Sequence, residues 1–285
     1  MRDLRRAGRI GAILGGLLCA HSTAWTDEVR WDLASGAEAV QLVELYTSQG
    51  CSSCPPAERF LTELSRSPDL WTRYVPVSFH VTYWDRLGWA DLYGRPEFTE
   101  RQQRSARALG LPSAYTPGFI VDGREWRGFF SGQALPKPRV GRSAGQLRAR
   151  LDAGEVVLEL RPDDASPQSE VSLHVALLGV GLCDSIAAGE NRGKEIRQDF
   201  VVLGYASGKA QPARDESVLT GRMALPRWTG AAPDRYALAV WATDADKLEP
   251  LQAAGGWIEL DGRTEDRAGD VPSGSSGPCS ASPAS

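Results

Sequence analysis

The sequence lacks a second Cys-x-x-Cys pair, a basic stripe interleaved with aromatics, and any apolar run of the about 20 residues that cross a bilayer. Each absence removes a class of function. A closed zinc site needs four ligands, and one Cys-x-x-Cys supplies two. A formal charge of −4 with no concentrated basic face argues against a nucleic-acid partner. Without a spanning run, no stable membrane anchor is expected once the N-terminal segment is removed. There is no internal repeat, and five cysteines in 285 residues are too few for a scaffold stapled by disulfides, so an apolar core must hold the fold.

That N-terminal segment, residues 1–24, reads as an export signal. Arg2, Arg5, Arg6 and Arg9 form a cationic region, Ile10–Ala20 is an apolar stretch of signal length, and small residues follow. Cleavage removes Cys19 and leaves Cys51, Cys54, Cys183 and Cys279 in a periplasmic or secreted protein, where disulfides persist. The remaining length suggests two domains.

From residue 37 to 153 the pattern alternates. Ala39–Tyr46 is a β-type run, Thr47–Gly50 a loop, and the spacing from Pro55 is helical, with Phe60, Leu61 and Leu64 on one face. Tyr74–Val81 is a second strand, Phe98–Leu109 a helix, Gly118–Asp122 and Glu125–Phe130 a hairpin, and Ser143–Leu151 a helix capped by Ser143. Strand, cysteine pair, helix, strand, helix, hairpin and helix imply a mixed α/β sheet flanked by helices. The composition changes after residue 153. Six short β-type runs, Glu155–Arg161, Glu170–Gly179, Asp199–Ala206, Ser217–Leu225, Tyr236–Thr243 and Gly256–Leu260, suggest a small all-β sandwich over 154–260. Residues 261–285 are rich in Gly, Ser, Pro and Asp and carry too few apolar groups to order themselves.

The chemistry centres on Cys51-Ser52-Ser53-Cys54, between a strand and a helix. Helix N-termini carry unpaired N–H groups that favour a negative charge, so Cys51 is expected to be the exposed, acidic, attacking thiol. Cys54 is then the resolving thiol that releases a mixed disulfide. Glu44, in the apolar strand before the pair, is the expected buried proton relay. Thr116, His80, Tyr83, Trp84 and Asp85 are expected to shape the surface around the pair. The cysteines carry the electrons themselves, so no cofactor and no metal is needed.

The order strand, Cys-x-x-Cys, helix, with Thr116-Pro117 just before a hairpin, resembles redox proteins of thioredoxin-like fold, in which a cis-proline stands beside the cysteine pair. Three stretches, Val43–Glu58, Phe79–Asp91 and Tyr115–Gly128, together with Gly189-Glu190-Asn191-Arg192-Gly193, resemble a family of secreted bacterial proteins catalogued as domain of unknown function 1223. That resemblance implies export and a thioredoxin-like α/β domain, here followed by the β-sandwich; it implies no particular reaction. The expectation is therefore an exported thiol–disulfide oxidoreductase, or redox-dependent partner protein, acting on protein thiols or disulfides of exported proteins. Two alternatives stand beside it: a non-catalytic binding protein with a static Cys51–Cys54 bridge, and copper(I) delivery by the two thiolates with His80. Cys183 and Cys279 are expected to be free thiols rather than a tail-to-sandwich disulfide.

Overall fold

Long runs of Val, Leu and Ala make strands that can be buried on both faces, and the computed structural model is accordingly mostly β. It describes residues 31–137, 144–152, 154–163, 170–215, 217–244 and 247–260. The first half contains β1 (Asp32–Ala34), β2 (Gln41–Thr47), α1 (Pro55–Leu64), β3 (Tyr74–His80), α2 (Pro96–Ala108), β4 (Gly118–Val121), β5 (Arg124–Glu125) and β6 (Gln146–Asp152). The second half adds β7 (Glu155–Arg161), β8 (Val171–Val180), β9 (Leu182–Ser185), β10 (Glu195–Gln198), β11 (Val201–Lys209), β12 (Gln211–Pro212), β13 (Leu219–Ala224), β14 (Arg235–Asp244) and β15 (Pro250–Ile258). No helix among the described residues is long and apolar enough to cross a membrane.

These strands build one eight-stranded mixed sheet in the order β15-β14-β8-β11-β3-β2-β4-β5, one five-stranded antiparallel sheet in the order β1-β6-β7-β13-β12, and the separate pair β9-β10. The expected architecture, a helix-flanked thioredoxin-like domain followed by a small sandwich, is overturned. Fifteen strands stand against two α-helices among the described residues, and both large sheets draw strands from both halves of the chain. The junction is β3 with β11: they run parallel at Val201 and Ser78, and Ser78 N–H donates to the Phe200 carbonyl at 2.8 Å. β2 and β3 are parallel over seven residue pairs, with α1 between them in sequence, and β4 runs antiparallel to β2.

The two faces of the second-half strands serve two cores. Ala176 and Leu178 of β8 and Trp241 of β14 join Phe79, Phe119 and Phe200 in one. Leu173, Val175 and Leu177 of β8 pack on Leu147, Leu158 and Leu160 of the five-stranded sheet in the other. Each such side chain contributes about 1.5–3 kcal/mol on burial, so the cores also bind the two halves to each other. α2 adds a polar anchor. Its Arg101 pairs with Glu44 of β2 and lies over the rings of Phe79, Tyr205 and Trp241 at 5.1, 5.6 and 5.5 Å.

Two local expectations also change. The segment expected to be a helix at Ser143–Leu151 is strand β6 from Gln146; Ser143 itself lies outside the described residues. Its Leu-Arg-Ala-Arg sequence alternates buried and exposed, the period of a strand and not of a helix. The hairpin partner expected at Glu125–Phe130 is only Arg124–Glu125, followed by a 3-10 turn over Gly128–Ser131. The proposed signal segment and the 261–285 tail lie outside the described residues.

Candidate functional site

β2 ends at Thr47, and the chain turns through Ser48-Gln49-Gly50 into the cysteine pair. Cys51 N–H donates to the Ser48 carbonyl at 3.1 Å, and Cys54 N–H to the Cys51 carbonyl at 3.2 Å. A side chain at position 50 would crowd Trp84, whose Cβ lies 3.0 Å from where it would start, so glycine suits the turn. Cys54 is the N-cap of α1, and Pro55 and Pro56 occupy the first turn, where a missing N–H costs nothing. Cys51 and Cys54 form a disulfide with their Cα atoms 5.4 Å apart.

Both cysteines are 0% exposed, while Ser52 and Ser53 between them face solvent. The expectation of an exposed Cys51 is corrected on this point. The Ser53 hydroxyl donates to Cys51 Sγ at 3.3 Å, and the Thr116 carbonyl oxygen lies 3.8 Å from the same sulfur. The Thr116–Pro117 peptide bond is cis. Trp84 Nε1–H donates to Thr116 Oγ1 at 2.8 Å, so Trp84 and Thr116 do border the pair. An open groove beside it is lined by Ser53, Ser113, Tyr115, Thr116, Pro117 and Phe130, with Phe130 53% exposed.

The second half covers this turn. Asn191 is 0% exposed, and its Nδ2 donates to the carbonyls of Gln49 at 2.8 Å and Cys51 at 2.9 Å. Its neighbour Glu190 accepts the Ser52 N–H at 3.1 Å. The Ser52 side chain, together with that backbone bond, holds the Glu190 carboxyl below the usual carboxylate range.

Behind the pair lies a buried polar network that the sequence reading did not assemble. Glu58 stands one helical turn after Cys54 and is 3% exposed. Its Oε1 accepts from Thr47 Oγ1 at 2.8 Å and Gln198 Nε2 at 3.2 Å, whereas Oε2 is buried without a hydrogen-bond partner. Burial raises the Glu58 pKa, a shift only partly opposed by nearby His80 and the Thr47 and Gln198 donors. His80 Nδ1 lies 2.8 Å from Asp91 Oδ2. Burial alone would lower the His80 pKa, but Asp91, Glu58 and Asp184 raise it on balance. Asp91 moves the other way: burial would raise it, but His80 and the N–H groups of Gln49 and Tyr93 bring it down. Gln49 ties the network together. Its N–H donates to Asp91 at 2.7 Å, and its Nε2 to Asp184 at 2.9 Å and Gln198 at 3.0 Å.

Several expected roles shift accordingly. Glu44 lies on the face of β2 that meets α2, paired with Arg101, whereas Thr47 on the opposite face meets Glu58 of α1. Strand alternation therefore turns Glu44 away from α1. His80 is 0% exposed and bonded to Asp91, so it belongs to the network and not to a substrate surface. Asp85 accepts the Asp91 N–H at 3.2 Å, and Tyr83 is half-buried against Trp84. Among the described residues, no grouping of three or more His, Cys, Asp and Glu side chains could hold a metal ion. Cys183, half-buried on β9, is disulfide-bonded, which overturns the free thiol expected there; Cys19 and Cys279 lie outside the described residues.

Glu58 was legible in principle, because it falls three residues before Leu61 on the apolar face of α1. Asn191 sits in the glycine-Glu-Asn motif, but nothing in the sequence connects that motif to a turn 140 residues earlier.

Comparison with known proteins follows the same lines. An X-ray structure of a protein from Agrobacterium tumefaciens is similar at 26% identity and TM-score 0.51, covering 81% of this chain and 99% of that one. HBP35 of Porphyromonas gingivalis is similar in fold alone, at 14% identity and TM-score 0.56, covering 84% of this chain and 82% of that one. No curated protein matches the chain. Residues 42–243, which include the cysteine pair, Thr116–Pro117 and the Glu190–Asn191 cover, match the family described as Protein of unknown function (DUF1223), and the chain belongs to that family.

Proposed function

We propose that this chain is an exported protein that exchanges electrons with thiols and disulfides of other exported proteins through Cys51 and Cys54. The observation that carries the reading is a disulfide at the N-terminus of α1 backed, one helical turn on, by the fully buried carboxyl of Glu58. Helix side chains four apart share a face and lean toward the N-terminus, so Glu58 is suited to serve Cys54. Export is supported by the cationic and apolar start of the sequence, and a disulfide suits an oxidising compartment.

In the exchange, a client thiolate attacks Cys51 Sγ and forms a mixed disulfide while the Cys51–Cys54 bond breaks. Cys54 leaves as a thiolate and takes a proton from Glu58, whose carboxylate keeps the Thr47 and Gln198 donors. The client's second thiol gives up its proton and attacks its own half of the mixed disulfide, releasing Cys51. The client dithiol is oxidised by two electrons and the pair is reduced by two; the reverse sequence reduces a client disulfide. The groove beside Thr116 and Pro117 is the surface along which the client segment would lie.

A second reading, a static bridge in a binding protein, is favoured by one observation, the complete burial of both cysteines. Equilibration with glutathione separates the two. Exchange predicts a reduction potential within about −270 to −120 mV, and a Cys54→Ser variant that accumulates mixed disulfides with exported proteins. A potential below about −300 mV, with nothing trapped, would leave the static bridge standing.

A further inference from the structure

We propose that Glu190 and Asn191 are positioning residues of the disulfide, and that the loop carrying them must lift before any thiol can reach Cys51. The loop joins β9 to β10, a two-stranded ribbon whose strands pair with neither large sheet. Gly189 and Gly193 flank its Glu190–Arg192 segment, with φ of 75° and 81°, a left-handed conformation that glycine adopts without strain. Within it, both donor bonds of the Asn191 amide are spent on the carbonyls either side of Gly50, and its Oδ1 accepts from Lys194 Nζ at 2.9 Å. Glu190 adds the bond to Ser52 N–H. Three hydrogen bonds therefore fasten the loop to residues 49–52, the turn that holds Cys51, and both cysteines are wholly buried. A buried, fully bonded asparagine brought from a distant segment fixes the shape of the turn, and the loop can lift at its glycines while Asp184 and Gln198 of the ribbon stay in the buried network.

The cover has its purpose only if the exchange reading holds, but its test does not depend on that reading. The intact, oxidised, mature protein is exposed to dithiothreitol under native conditions, and reduction of Cys51–Cys54 is followed by alkylation and mass. Asn191→Ala, which removes two of the three bonds, is expected to speed reduction by about tenfold or more. Glu190→Gln, which weakens one solvent-facing bond, is expected to speed it by about threefold. Urea unfolding of each variant separates lifting of the loop from loss of the whole fold. If Asn191→Ala proves too unstable to compare, the exposed Glu190→Gln decides the matter. A folded variant reduced at the wild-type rate would overturn the cover. An accelerated variant whose pair still fails the glutathione and trapping tests would keep the cover and sink the exchange reading instead.

Discussion

Replacing Glu58 tests the buried acid most directly, because two substitutions there divide its structural work from its proton. Glu58→Ala removes the acceptor of Thr47 Oγ1 and Gln198 Nε2, both buried. Each donor left unsatisfied costs about 1–3 kcal/mol, so the variant should lose about 2–6 kcal/mol before any cavity is counted. Glu58→Gln keeps an oxygen for those donors and should lose no more than about 1 kcal/mol. Burial raises the Glu58 pKa, so the folded state binds its proton more tightly than the unfolded chain does. The stability this gives is complete below the usual carboxylate range and is lost as pH rises through the folded-state pKa. Glutamine has no such dependence, so urea unfolding across this range should show Glu58→Gln gaining on the wild type as pH rises. The exchange rate separates them further: without a proton donor for Cys54, Glu58→Gln should slow turnover of a model dithiol by about a hundredfold. If Glu58→Ala is as stable as Glu58→Gln, the hydrogen-bond accounting fails. If Glu58→Gln exchanges at the wild-type rate, Glu58 is not the acid.

Two further predictions concern the opposite face of the large sheet. Burial, with a smaller contribution from Arg101, pushes the His174 pKa down to about 3, and its ring is held neutral between Tyr205 at 2.7 Å and Thr243 at 2.9 Å. Because the unfolded chain takes up this proton near pH 6.5, His174 should cost at most about 4–5 kcal/mol of stability as pH falls from there toward 3; a His174 proton resonance that titrates above about pH 5 would refute this. Arg101→Met strands the Glu44 carboxylate among aromatic rings and should destabilise by about 3–5 kcal/mol in thermal unfolding, much of which adding Glu44→Leu should restore; a double variant no better than the single would mean the loss is one of packing.

The sequence made the individual strands legible wherever an apolar run was long. Glu155–Arg161 coincides with β7, and the runs at Val171, Val201 and Arg235 fall within a residue or two of their expected starts. The assembly was less legible, because a strand's sequence does not say which sheet receives it. The segment Leu147 to Leu151 fits a helix by composition, but its alternation, with Leu147 and Ala149 buried and Arg148 and Arg150 exposed, is that of a strand. At the site, Cys51–Cys54 and Thr116–Pro117 could be found because each is a contiguous signal. Glu44 is not placed by its sequence, because a buried acid in a strand says nothing about which face it occupies, and a shift of one residue reverses that face. Gln49, Asp91, Asp184 and Gln198 read as ordinary polar positions; they are buried or half-buried only because the folded chain brings them together to satisfy one another.

The second half is therefore more than an appendage to a cysteine motif. It supplies Asn191 and Glu190 to the turn, Gln198 and Asp184 to the network behind it, Tyr205 and Trp241 to the socket of Arg101, and β11 to the edge that β3 would otherwise leave open. An attacking thiol at a helix start needs none of these to be acidic, since the helix terminus alone favours its charge. What the second half adds at the site is hydrogen bonding: Asn191 and Glu190 hold the turn at residues 49–52, and Gln198 gives Glu58 a partnered oxygen from within. On this argument the second half serves the geometry around the pair, and the residues that shape the site lie as much around Asn191 and Gln198 as around the cysteines.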